Sequence, residues 1–191
     1  MKLFPKKFHV WDEFAYTYIY NQYADTLLAY GIGLGFEKET VKDAIHDVFL
    51  KFYFNRKPLN DIDNLKYYLF RMLKNRLLDI LKTTVNTSDI GYQELNFSVK
   101  TTILDELIGD EDRLALQNKI EKLLNSLTDR QREAIYLRYM QEMSYDEIAG
   151  LLKMTPQATR KLIFRAMERM RDLNLVLIYF LSFLPFFINK Q

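Results

Sequence analysis

The 191-residue chain contains no cysteine, so disulfide bridges and thiolate metal sites are excluded, and a reducing compartment suits it. It holds only six glycines and four prolines. That is too little turn chemistry for a sheet protein, whose strands must reverse every few residues. Its two histidines, His9 and His46, lie far apart with no supporting cluster of acids. No nucleophile, base or metal constellation is visible, so no enzyme is expected and no cofactor is implied. The first residues, MKLFPKKFHVWDEF, lack the apolar core and small-residue cleavage site of a secretory signal.

What is present is material for a core. Hydrophobic residues make up 49% of the chain and aromatics 15%, so a folded protein is expected. The formal net charge of +2 matters less than its distribution. Residues 64–82 carry five basic residues and one acid, and residues 155–173 carry five basic residues and two acids. Between them, residues 83–112 carry seven acids and one lysine. Two basic patches flank an acidic stretch, and local patches of this kind govern contact with nucleic acid.

Apolar spacing predicts helices over most of the chain. Residues 12–31 form the first, with Phe14, Ala15, Tyr18, Ile19 and Leu27 at helical steps and Gly31-Ile32-Gly33 as its stop. The second spans 37–54 and buries Val41, Ala44, Ile45, Val48, Phe49 and Phe52. A loop follows at 55–63, then a third helix over 64–81 with Leu65, Leu69, Met72, Leu73 and Leu77 inward. Periodicity fades across 83–113, which reads as an acidic linker with a short helix near 101–108. A second helical cluster covers 114–173: an amphipathic segment over 114–124, a helix over 128–140 opened by the capping box Thr128-x-x-Gln131, another opened by Ser144-x-x-Glu147, and a third started by Thr155-Pro156. The expected fold is all-α: a first domain over 1–82, the linker, a second domain over 114–173, and a tail over 174–191.

The last two helices have the layout of a helix-turn-helix, a short helix, a turn at 153–155 and a longer basic helix. On the longer helix, Thr159, Leu162, Ile163, Ala166, Met167 and Met170 share one side. Gln157, Arg160, Lys161, Phe164, Arg165 and Glu168 share the other. A major groove admits such a helix, guanidinium groups pair with guanine edges or phosphates, and glutamine reads adenine. A solvated basic face is the plainer alternative.

The run 127-LTDRQREAIYLRYMQEMSYDEIAGLLKMTPQATRKLIFRAMERMRD-172 closely resembles the C-terminal promoter-binding domain of bacterial sigma factors, above all the two-domain extracytoplasmic-function (ECF) group. Upstream, 41-VKDAIHDVFLKFY-53 resembles the sigma helix that docks on the polymerase clamp, and 65-LKYYLFRMLKNRLLDILK-82 the helix that engages the melted minus-ten element. The resemblance implies a transcription initiation factor that binds core RNA polymerase and directs it to promoter DNA, without catalytic chemistry of its own.

It implies polymerase docking through Asp43, His46, Asp47 and Leu50, His46 standing where the family usually has Gln. Minus-ten contacts would come from Lys57, Asn60, Lys66, Tyr67, Arg71, Lys74, Asn75 and Arg76. Tyr68 and Phe70 are read as core. Minus-thirty-five contacts would come from Gln157, Ala158, Arg160, Lys161, Phe164 and Arg165. Where many members have Thr-Val-Arg-Ser-Arg, this chain has 158-ATRKL-162. An anti-sigma factor is a further expected partner, and the expected location is cytoplasmic, or at the membrane when a regulator holds the protein there. The apolar run 173-LNLVLIYFLSFLPFFI-188 is shorter than the roughly twenty residues needed to span a bilayer, and Pro185 interrupts it. Packing on the protein, regulator binding and membrane contact are its three readings.

Overall fold

The computed structural model describes residues 13–55, 64–84, 97–98 and 123–173. All regular structure among them is helical, and the chain divides into two compact units, Met1–Gln93 and Glu94–Gln191. The expected all-α fold is therefore observed. The linker, apart from Thr83, Thr84, Phe97 and Ser98, most of the segment expected over 114–124, and the tail 174–191 lie outside the described residues, as do Lys57 and Asn60.

In the first unit, α1 (Glu13–Gly33), α2 (Lys38–Asn55) and α3 (Leu65–Thr84) pack against one another. The apolar stripe of α2 is buried as its spacing requires: Val41, Ala44, Ile45, Val48, Phe49 and Phe52 are all core. Leu65, Leu69, Leu73 and Leu77 of α3 face them, while Met72 is only half-buried. Phe70 is fully buried with its ring 4.8 Å from that of Tyr30, and Tyr68 is half-buried near Phe52, so both serve packing. Asn64 starts α3 by accepting from the Tyr67 N–H at 3.1 Å.

Phe14 and Tyr18 share helical spacing with core residues but point outward, at 82% and 45% exposure. A helix this rich in aromatics has more apolar residues than inward positions, so spacing alone cannot choose among them. The helix ends at Gly33, within the expected stop, in a Schellman motif, with Phe36 N–H donating to Gly31 O, Gly35 N–H to Ile32 O, and Gly35 at φ 89°. Gly31 has a different use: a Cβ there would lie 2.4 Å from Val41 Cγ1, so its missing side chain lets α1 and α2 approach closely.

The second unit contains α4 (Asp129–Ile135), continued by a π-helical turn over Tyr136–Met140, then α5 (Tyr145–Leu152) and α6 (Pro156–Leu173). The expected single helix over 128–140 is thus α-helical only in its first half. The wider turn ends at Gln141, whose N–H reaches back to Tyr136 O, and Glu142 then takes a positive φ of 54° to reverse the chain. Tyr136 is buried, accepts from the Gln141 side chain at 3.1 Å and packs on Phe97 with ring centroids 5.4 Å apart. Burial pushes the Tyr136 phenol well above its ordinary pKa, with the Gln141 hydrogen bond opposing the shift in part.

Candidate nucleic-acid interface

The second unit builds its surface from three capped helix starts. Thr128 and Gln131 form a complete reciprocal capping box, and Ser144 and Glu147 form another: Glu147 N–H donates to Ser144 Oγ at 3.2 Å and Ser144 N–H donates to Glu147 Oε2 at 2.7 Å. Lys153 ends α5 in the left-handed region, at φ 52° and ψ 50°, and Met154 N–H returns to Ala149 O. Thr155 then opens α6 by accepting from Ala158 N–H at 3.2 Å, with Pro156 in the first position, where no donor is needed. These groups fix the tight turn that a helix-turn-helix requires.

On α6 the two expected faces separate. Thr159, Ile163, Ala166 and Met170 are buried, and Leu162 and Met167 half-buried. The buried Thr159 hydroxyl is satisfied by donating to Thr155 O, one turn back. Gln157, Arg160, Lys161, Phe164 and Arg165 are exposed, Ala158 and Glu168 half-buried. Phe164 stands out at 64% exposure, an apolar ring among cations. Such a ring suits the methyl edge of thymine, while the guanidinium groups suit guanine edges and phosphates.

The structure also brings in two residues that the sequence analysis passed over. The Tyr145 ring, at the start of α5, lies under the Arg138 guanidinium at 4.7 Å and under that of Arg160 at 5.4 Å. Arg138 itself donates to Met143 O at 2.8 Å. A count of charges along α6 alone misses them. The available signal was an aromatic residue in the first turn of the preceding helix.

In the first unit, Asp43, His46, Asp47 and Leu50 fall at i, i+3, i+4 and i+7 on α2 and form one outward stripe, with Asp47 half-buried and the others exposed. One turn earlier, the Lys42 ammonium donates to Glu39 at 2.8 Å and holds that carboxyl below the usual carboxylate range. On α3, Arg71, Asn75 and Arg76 are exposed and Lys66 and Tyr67 half-buried. Lys74 departs from its expected place on the exposed basic face. It is buried, because it follows Phe70 by one turn and precedes Leu77 and Leu78 on the same inward column. Arg76 is engaged with Asp47 of α2, Nε and Nη2 both donating to Oδ2, at 2.8 and 2.7 Å.

Among the described residues, no group of three or more histidine, aspartate or glutamate side chains is placed to hold a metal ion, and no helix is long and apolar enough to cross a membrane.

A family model described as Sigma-70, region 4 matches residues 117–170. The match falls within the second unit and takes in its helix-turn-helix, α5 and α6. Beyond region 4, the chain is similar to the ECF RNA polymerase sigma factor SigM of Bacillus subtilis (strain 168), at 22% identity over 164 residues, covering 81% of this chain and 92% of that relative. In structure it is similar to the sigma factor RpoE of Bartonella quintana, crystallised with the anti-sigma factor NepR, with a TM-score of 0.55, 24% identity, and 83% of this chain and 96% of that one covered. The solved structure supports the fold, and the relative extends the likeness upstream of region 4 into the first unit. The resemblance to the ECF sigma factors is thus borne out.

Proposed function

We propose that this chain is a transcription initiation factor that binds core RNA polymerase and directs it to promoters by recognising minus-ten and minus-thirty-five elements. The observation that carries this reading is the region 4 match laid over a helix-turn-helix whose exposed face presents Gln157, Arg160, Lys161, Phe164 and Arg165. Region 4 reads the minus-thirty-five element as duplex, through α6 in the major groove. The half-buried Ala158 approaches the same edge without reaching as far.

The α2 stripe of Asp43, His46, Asp47 and Leu50 is the docking face, its two carboxylates suited to an arginine-rich partner and its leucine to an apolar anchor. Arg71, Asn75, Lys66 and Tyr67 of α3, with Lys57 and Asn60 of the preceding loop, contact the minus-ten strand. That strand is read after melting, when its base edges are unstacked. Each contact is weak alone, but linkage in one chain raises the effective concentration of the other. Chemistry on the DNA is left to the polymerase, and the protein acts in the cytoplasm. The similar RpoE, solved with an anti-sigma factor, supports a regulatory partner of that kind here as well.

The test is capture of purified bacterial core polymerase at fixed salt, wild type beside Asp43→Arg/Asp47→Arg, followed by strand opening on a promoter library. Capture by the wild type and its loss in the double variant are expected. Tight duplex binding with no polymerase capture would sink this reading and leave a stand-alone DNA-binding regulator.

A further inference from the structure

Arg76 does not share a row with the other exposed cation on the body of α3. An α-helix turns by about 100° per residue, so Arg76 lies about 140° around α3 from Arg71. Arg71, Asn75 and Asp79 follow one another at steps of four and are exposed along one flank. Arg76 occupies the opposite edge of the exposed sector, towards α2, where it meets Asp47. Nε and Nη2 of this guanidinium are directed at Asp47, towards α2 and away from the flank that carries Arg71. Both of these contacts fall on a single oxygen, Oδ2, and Oδ1 lies outside this pair. The Asp47 side chain remains 45% exposed, so a partner can still reach it.

We propose that Arg76 is a positioning residue of the docking face: it holds the Asp47 carboxylate in place for a basic protein partner and does not bind the minus-ten strand. The proposal rests on the docking reading of the α2 stripe. Its physical basis is preorganisation. A short acidic side chain already fixed by one guanidinium loses less freedom when a second one binds its other oxygen. The docking surface is then composite, drawn from α2 and α3 together.

The experiment uses the full chain with Arg76→Gln, Arg76→Lys and the exchange Asp47→Arg/Arg76→Asp. Three quantities are read: capture of purified core polymerase at fixed salt, melting temperature, and binding of a fluorescent single-stranded oligonucleotide across a salt series. Arg76→Gln is expected to weaken capture about two- to fivefold, the range of an exposed ion pair. Arg76→Lys should recover part of that loss, and the oligonucleotide's salt dependence should not change in either variant. The exchange should keep the wild-type melting temperature, because the bridge re-forms in reverse, yet lose capture.

A fall of about 0.7 in the salt slope with Arg76→Gln, with capture unchanged, would overturn the proposal and make Arg76 a phosphate contact. Restoration of capture by the exchange would also overturn it, leaving the pair as a brace between helices. Failure of the wild type itself to capture polymerase would instead remove the docking reading on which the proposal stands.

Discussion

Substituting Gly31 by alanine should loosen the first unit, against the usual preference of helices for alanine. The added Cβ would lie 2.4 Å from Val41 Cγ1 and 2.9 Å from Cγ2, whereas carbon atoms pack at about 3.5–4.0 Å. More than about 1 Å of movement is needed. Val41 cannot easily supply it: the side chain is fully buried and, being β-branched on a helix, holds one rotamer strongly. Overpacking of this kind costs about 1–3 kcal/mol. Alanine returns about 1 kcal/mol through helix propensity, leaving a net loss of up to about 2 kcal/mol. For a unit of this size that is a fall in melting temperature of up to roughly 15 °C, measured by far-ultraviolet circular dichroism. Val41→Ala alone should also destabilise, by opening a cavity, but in the double variant the new methyl fills part of it. The double variant should therefore be more stable than the sum of the two losses. A Gly31→Ala protein that melts at or above the wild type, or strict additivity with Val41→Ala, would refute the close-approach argument.

Three further outcomes are expected. Ser144→Ala removes the cap that accepts the Glu147 N–H and should cost about 1 kcal/mol in denaturant unfolding, weakening duplex binding through the turn it fixes. Arg165→Ala should leave the melting temperature unchanged and lower the salt slope of duplex promoter binding by about 0.9 if it meets a phosphate. Phe164→Ala should lower affinity without changing that slope. Tyr136 should make the second unit alkali-sensitive: its pKa is raised in the fold, so above the ordinary tyrosine value of 10.0 the unfolded chain loses a proton that the folded one keeps, and stability falls as pH rises. Tyr136→Phe should weaken that fall in a pH series of unfolding curves, and an unchanged pH dependence would count against it.

Much of this was legible in the sequence, for reasons that differ by element. The stripe of α2 and the two faces of α6 were readable because polar and apolar residues alternate there at clean helical steps, and the capping boxes because their chemistry is local. The packing role of Gly31 was not. A glycine can stop a helix or allow another helix to approach it, and only the position of Val41 distinguishes the two uses of Gly31. The π-helical turn after Ile135 has no marker in its residues YLRYM and depends on how Gln141 and Met143 return to the backbone of Tyr136 and Leu137. Pairings across helices were likewise hidden: nothing in a linear reading joins Asp47 to Arg76, or Tyr145 to Arg138 and Arg160.

The cations show most plainly why charge along a segment is a poor guide to the surface it makes. Of the five basic residues in 64–82, Lys74 is buried, Arg76 is bound to a neighbouring helix and Lys66 is half-buried. Arg71 is left as the exposed cation on the body of α3, with Lys82 near its end. On α6, by contrast, Arg160, Lys161 and Arg165 are all exposed and share the face with Gln157 and Phe164. A binding surface that needs affinity for duplex DNA by itself requires several phosphate contacts, since each contributes only a share of the salt-dependent free energy. α6 meets that requirement and α3 does not. A helix carrying so few available cations suits a strand that another machine has already opened and is holding nearby, so that binding is effectively intramolecular. The division predicts that region 4 alone binds duplex promoter measurably, whereas single-stranded minus-ten DNA binds the full chain far better once core polymerase is present. Equal affinity for that strand with and without polymerase would contradict it.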